Sequence, residues 1–323
     1  MMNKCVFIIP YFGKFNNYFQ LFLNSCGINK HFDWIIYTDD KTKFHYPNNV
    51  HVKYCSFETL KNKIETIFPF KITLDSPYKL CEYKLAYGDI FKDDIKEFAF
   101  WGFCDIDLIF GNIEKFITDE ILDNYEKILF RGHFTLLKNN VKMNKMYKIY
   151  EKPMFIDYKY AFSTQYICHF DEFEPWINVL DNHGIRQFNK LIFADVNCNK
   201  YTFELVSNSE NIENTDYQIF TWKNGELNRV YIKNGIIHTD EWTYIHLQKR
   251  KMKIDLDINY NNYVIMPNII TSKLDSNEAL NIVKKISWNK KINLARRINR
   301  LIEIVNNIKK GALYYRWIKF INR

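Results

Sequence analysis

Seven apolar residues in a row, Phe98-Ala99-Phe100-Trp101-Gly102-Phe103-Cys104, run straight into Asp105-Ile106-Asp107. A strand that is apolar on both faces belongs in the middle of a sheet covered by helices on each side. If the strand continues, its period of two points Asp105 and Asp107 the same way, so two carboxylates meet at its carboxyl end, where open α/β sheets bind ligands. Like charges held that close repel unless a cation sits between them. Mg²⁺ or Mn²⁺ suits such oxygen ligands and leaves positions open for two phosphates. The plainer alternative is a D-x-D that only caps a turn.

Around this segment the chain alternates between strand and helix patterns. Val6–Ile9, Trp34–Tyr37 and Val50–Tyr54 read as strands, residues 17–26 and 57–67 as helices. Ser76-Pro77 opens a further helix, with Ser as N-cap and Pro at the first helical position. Asn112 caps a short helix; a strand covers 127–131, helices lie near 140–150 and 157–167, and strands near 217–222, 229–232 and 242–247. The expected fold is therefore α/β, a Rossmann-type, mostly parallel mixed sheet flanked by helices. At 323 residues, 47% hydrophobic and 25% charged, the chain has the apolar content for a sizeable core.

No apolar run approaches the roughly 18 residues of a membrane-spanning helix. The first strand is too short for a signal-peptide core, so a cytoplasmic location is expected. Seven cysteines, an odd number without a CxxC pair, argue against a disulfide framework or a zinc ribbon. The net charge of +8 is uneven: residues 279–323 hold seven lysines and five arginines against Glu303, a net +11, leaving −3 for residues 1–278. That asymmetry points to an appended binding segment rather than a nucleic-acid-binding domain, and no nucleic-acid partner is expected. The expected division is a catalytic domain over 1–260 and a basic helical extension over 261–323.

The ten glycines contain neither G-x-G-x-x-G nor G-x-x-x-x-G-K-[ST], and G-x-S-x-G and H-E-x-x-H are also missing. The commonest sequence grounds for a dehydrogenase, a P-loop ATPase, a serine hydrolase or a zincin are thereby removed. The succession Ile8-Ile9-Pro10-Tyr11-Phe12-Gly13, Tyr37-Thr38-Asp39-Asp40, Pro77-Tyr78-Lys79-Leu80-Cys81 with Lys84 and Gly88, Trp101 to Asp107, and Arg131-Gly132-His133-Phe134 resembles a bacterial group of capsular or cell-surface polysaccharide glycosyltransferases. The resemblance covers roughly residues 4–250. It implies a GT-A fold and transfer of a sugar from a nucleoside diphosphate, most plausibly a UDP-sugar, to a surface glycan or lipid-linked oligosaccharide acceptor.

What the resemblance implies for single residues follows the wider GT-A superfamily. Tyr11, Phe12, Gly13 and Asp39 would cradle the nucleotide, Asp39 accepting from base or ribose unless it is only a turn residue. Lys79 or Lys84 would neutralise the leaving diphosphate; at i and i+5 they do not share a helix face, so at most one is expected to do so. His246, favoured over His238, would complete the metal site with Asp105 and Asp107, the alternative being a core histidine. His133 would contact donor sugar or acceptor. Asp171-Glu172 resembles the acidic motif of the acceptor region, a base in an inverting reaction or else a helix cap beside a solvated Glu.

In the tail, Leu294, Ile298, Leu301, Val305 and Ile308 form a helical stripe among Arg296, Arg297, Arg300, Lys309 and Lys310, with Trp288, Tyr314, Tyr315 and Trp317 nearby. This is the pattern of a helix on an anionic membrane surface, or of one packed on its own domain. Rival functions are a nucleotidyltransferase or sugar-nucleotide hydrolase of the same fold, and a non-catalytic glycan- or membrane-binding protein.

Overall fold

The computed structural model of the chain describes residues 5–173, 175–198, 200–206, 214–215, 217–248, 250–256, 261–286 and 301–321. In chain order the strands are β1 (Cys5–Pro10), β2 (Phe32–Thr38), β3 (Val50–Tyr54), β4 (Phe100–Cys104), β5 (Leu108–Phe110), β6 (Lys127–Arg131), β7 (Phe134–Lys138), β8 (Gln187–Phe188), β9 (Ala194–Asp195), β10 (Gln218–Lys223), β11 (Glu226–Lys233), β12 (Ile236–Glu241), β13 (Tyr244–His246), β14 (Lys253–Asp255), β15 (Asn262–Met266) and β16 (Ile269–Thr271). The molecule is α/β, with open mixed sheets flanked by helices.

The first sheet has the order β3-β2-β1-β4-β7-β6-β8. Strands β1 to β4 are parallel, and β7 runs antiparallel to both β4 and β6. β4 is buried at every position, as its apolar run requires. Gly102 lets β7 close on it, since a Cβ there would lie 2.1 Å from the Thr135 carbonyl. The chain moves outward from β1 to β2 and β3, then returns to the other side of β1 for β4. The strand order therefore reverses between β1 and β4.

The helix Phe19–Ile28 follows β1 and buries Phe19, Leu21, Phe22, Leu23 and Cys26. The helix Phe57–Glu65 is capped by Ser56, which accepts from Thr59 N at 3.1 Å. Pro77–Ala86 departs from expectation: it is a 3₁₀ helix, and Ser76 makes no side-chain cap. At three residues per turn, Lys79, Glu82 and Leu85 stack on one face, while Lys84 falls on another with Cys81.

β10, β11, β12 and β14 to β16 form a second sheet, ordered β12-β11-β10-β15-β16-β14 and mostly antiparallel. Its one face packs Ile219, Val230, Val264 and Met266 on Ala279, Leu280 and Val283 of the helix Ser276–Ile286. Its other face sends Phe220, Trp222 and Tyr263 into a core shared with Tyr18, Leu21, Ile109 and Ile245. The division expected at residue 260 thus falls inside this sheet, between β14 and β15. A three-stranded sheet, β5-β13-β9, joins the two.

Of the tail, Trp288, Leu294, Arg296, Arg297, Ile298 and Arg300 lie outside the described residues. Residues 301–309 are helical, and a second helix spans Ala312–Ile321. No helix among the described residues is long and apolar enough to cross a membrane.

Candidate functional site

β4 ends at Cys104, so Asp105 and Asp107 do not share a strand face as the period of two had suggested. They occupy the turn by which the chain leaves the first sheet for β5. Backbone bonds fix that turn at both ends: Asp105 N donates to His133 O at 3.1 Å, and Leu247 N donates to Asp107 O at 2.9 Å. The carboxylates converge on a third residue instead. Antiparallel pairing of β13 with β5 sets His246 opposite Leu108, and its Nε2 lies 3.3 Å from Asp107 Oδ1 and 3.9 Å from Asp105 Oδ2.

Behind the imidazole stands Asp195, a residue the sequence reading missed. β9 pairs in parallel with β13, His246 opposite Asp195, and Asp195 Oδ1 accepts from His246 Nδ1 at 2.8 Å and from Gln248 Nε2 at 2.6 Å. This bond fixes the ring and leaves Nε2 facing the acidic pair, the carboxylate–histidine arrangement that supports metal ligands. The signal was present as an acid inside the apolar run Leu191-Ile192-Phe193-Ala194-Asp195-Val196. Burial would discharge His246, but Asp107 and Asp195 together push its pKa up to about 10.

Lys84 enters from the 3₁₀ helix. Its Nζ lies 2.8 Å from Asp105 Oδ1, 2.8 Å from Gly132 O and 3.5 Å from Asp171 Oδ2. Burial opposes its charge, yet Asp105 and Asp171 hold it well above the ordinary lysine range. Lys79, expected as an alternative phosphate ligand, is used elsewhere. Its buried amine donates to Ala161 O at 3.0 Å and Tyr166 O at 2.7 Å, on the face it shares with Glu82.

The β6–β7 hairpin has only Gly132 and His133 at its tip, and it serves the site through backbone. Besides His133 O on Asp105 and Gly132 O on Lys84, Gly132 N donates to Glu172 Oε1 at 2.7 Å. A Cβ on Gly132 would lie 2.1 Å from Asp171 Oδ2, so glycine is what lets the 170–172 turn close against the tip. Asp171 and Glu172 are therefore brought to the site, but Asp171 is buried beneath Lys84, and burial above all pushes its pKa up to about 8. The His133 side chain, expected to contact donor sugar or acceptor, is turned inward. It is buried, packs 4.3 Å from the His246 ring and bonds through Nδ1 to Tyr244 OH at 3.2 Å. Burial and the neighbouring His246 charge hold it neutral, well below the usual histidine range.

The β1 loop reaches the same edge. Gly13, at φ +97°, donates its N–H to Asp39 Oδ1 at 2.8 Å, tying the ends of β1 and β2 together. Tyr11 stacks on Phe15 at 5.1 Å and is partly exposed. Phe12, expected in the nucleotide cradle, packs its ring in the core, edge-on to Phe57 at 5.5 Å. His238 pairs with Tyr231 in the second sheet, away from the acidic cluster.

Two carboxylates and an imidazole whose far nitrogen is held by a third carboxylate form a donor set that fits Mn²⁺ or Mg²⁺. A second grouping, His133, Asp195 and His246, is buried throughout and reads as the support of the first. The cluster occupies the carboxyl ends of parallel strands where their order reverses, the position at which open α/β sheets bind ligands. A cleft lined by His31, Phe32, Glu114 and Asp119 lies at the opposite edge, by the start of β2.

Comparison with known proteins adds a family but no activity. Searches of the curated proteins and of the solved structures give no significant match. Residues 7–274, from β1 through β16 and including every residue of the acidic cluster, match the model of a family of unknown function, and the chain belongs to that family, DUF6625.

Proposed function

We propose that the chain is a metal-dependent glycosyltransferase of GT-A type. It moves a sugar from a nucleoside diphosphate, UDP first among the candidates, to a growing surface or capsular glycan on the cytoplasmic side. The observation that carries this reading is the convergence of Asp105, Asp107 and His246, with Asp195 behind them, at the switch point between β1 and β4.

Asp105, Asp107 and His246 Nε2 would hold the cation, which when bound supplies Lewis-acid stabilisation of the leaving diphosphate. Asp195 keeps the imidazole turned toward it. Lys84 brings a fixed positive charge beside Asp105, where phosphate oxygens gain charge. The Gly13–Asp39 link shapes the floor for the nucleotide, and Glu172, partly exposed and anchored by Gly132 N, is the better placed carboxylate to take a proton from an acceptor hydroxyl. A nucleotidyltransferase would want free cations in the β1 loop. Here the loop after β1, residues 11–17, holds one cation, Lys14, which lies 2.7 Å from Asp40 Oδ1, and that poverty favours sugar transfer.

The test is a thermal-shift and turnover screen of UDP-, GDP-, CMP- and dTDP-sugars with and without Mn²⁺, on the native chain and Asp107→Asn. Ligand at 100 times its Kd stabilises a fold by about 2.7 kcal/mol, enough to read as a clear shift. One nucleotide class should stabilise the native chain only with Mn²⁺, and Asp107→Asn should weaken Mn²⁺ binding at least about 100-fold, beyond the usual cost of losing an outer partner. Donor breakdown that no acceptor accelerates would instead mark a hydrolase. A folded sample indifferent to every donor would point to a non-catalytic binding protein.

A further inference from the structure

Among the described residues the helix Ala312–Ile321 meets the body along one side, with the Tyr314 ring 6.3 Å from Tyr160 at its edge. Ala312 is buried, the Tyr315 ring lies 5.0 Å from Tyr166 and 5.5 Å from Phe155, and Tyr315 OH donates to Cys168 O at 3.3 Å. Ile318 packs against the same core. At 100° per residue, Leu313, Tyr314, Trp317, Phe320 and Ile321 gather on the opposite arc, and each is more than half exposed. The helix before it, residues 301–309, repeats the pattern. Leu301, Ile302, Ile304, Val305 and Ile308 share one exposed face, with Glu303, Asn306 and Asn307 on the other. Gly311, at φ +107°, makes the break between the two helices.

Soluble proteins seldom leave this much contiguous apolar surface without an occupant. Its chemistry selects one. Lys309, Lys310 and Arg316 border the apolar faces, Lys319 lies over Phe155 on the packed side at 5.7 Å, and Glu303 is the single acid, a net +3 over residues 301–321. Tyr and Trp beside aliphatic side chains and cations are what a helix lying in a lipid headgroup layer presents. A second copy of the chain would bring the same positive charge to the same face. The body, residues 1–278, carries −3, so an anionic surface attracts the tail and repels the rest.

We propose that the paired helices 301–309 and Ala312–Ile321 dock the protein flat on an anionic lipid surface, with Trp317 and Phe320 inserted among the acyl chains. This rests on the tail alone and stands apart from the reading of the acidic site.

The full chain is to be sedimented with vesicles of phosphatidylcholine, alone or mixed with phosphatidylglycerol. Binding should need the anionic lipid and fall in high salt. Trp317→Ser/Phe320→Ser, both exposed, should keep the native Tm and weaken binding by about tenfold or more, and Lys309→Glu/Lys310→Glu should do likewise. Failure of the native chain to bind either vesicle, or full binding by Trp317→Ser/Phe320→Ser, overturns the proposal. So does a dimer in sedimentation velocity that the same variant dissociates without any vesicle binding. Mn²⁺-dependent nucleotide binding should be equal in native chain and variant, which separates failure here from failure of the glycosyltransferase reading.

Discussion

One 3₁₀ helix carries two lysines five residues apart into opposite circumstances. Around Lys79 the protein moves an ion pair toward neutrality: burial lowers the lysine and raises Glu82, 3.9 Å away, and both are almost wholly enclosed. Glu82 Oε1 accepts from His169 N at 2.8 Å, which ties this pair to the turn before Asp171. Around Lys84 burial works in the same direction and loses, because Asp105 above all, joined by Asp171 once that carboxyl ionises, keeps the amine charged. A charge that is retained against burial, beside a carboxylate still 38% exposed, is one that an incoming ion or phosphate can engage. A pair driven toward neutrality and sealed with carbonyls is scaffold.

The largest effect should come from the scaffold. Lys79→Met removes two bonds to buried carbonyls and takes from Glu82 its cation, leaving it the backbone bond from His169 N, a change that costs about 3–5 kcal/mol in buried pairs, toward the lower figure here because Glu82 can take up a proton. Denaturant melting should show the loss, while Mn²⁺ titration of the folded protein should give the native Kd. A variant that stays stable but loses the metal would mean that the two lysines belong to one network, and the contrast would fail.

Asp195→Ala should do the reverse. It is buried, and without it Nδ1 of His246 is unheld. Loss of an outer partner of this kind lowers metal affinity by about 10–100-fold. Calorimetric titration with Mn²⁺ alone reads that directly, and Asp195→Asn, which keeps an acceptor oxygen for Nδ1, should recover part of it. Native affinity in Asp195→Ala would show that the ring is positioned by packing against His133 and not by the carboxylate.

The acidic pair was legible because its signal is local: an apolar run that ends in two acids. The reason for its convergence was not, since β4 stops at Cys104 and the carboxylates meet only when β13 brings His246 beside them. His246 was named through the resemblance; Asp195 depends on a two-residue strand, too short for any period to declare. The same limit explains the second sheet. Strands β10, β11 and β13 were visible in outline, whereas β12 has no buried position and mixes Thr, Asp and Glu with Ile, and β14 and β16 have three residues each. His133 was named because it follows a strand; the structure packs its ring against His246, and it is the backbone of this tip that meets Asp105 and Lys84. Phe12 was named from its place after β1, whereas its ring is taken up by packing on Phe57.

Asp171 gives the finest test of where the scaffold ends and the site begins. Its carboxyl is raised from 3.8 to about 8, first by burial, with Glu172, Glu82 and Asp105 adding to it and Lys84 opposing. An acid whose folded pKa lies above its unfolded value keeps a proton that the unfolded chain has lost. Stability therefore falls as pH rises from about 3.8 to about 8 and levels off beyond. Asp171→Asn carries no such proton, so its Tm relative to the native chain should climb through that window, by a few degrees if the difference is about 1 kcal/mol, and then run parallel. The melts belong in chelator, because a cation on Asp105 would add its own field. A gap that stays constant from pH 5 to pH 9 would mean that Lys84 holds Asp171 ionised throughout. Asp171 would then join Asp105 among the charges the site retains, and the base that serves an acceptor at neutral pH would have a second candidate beside Glu172.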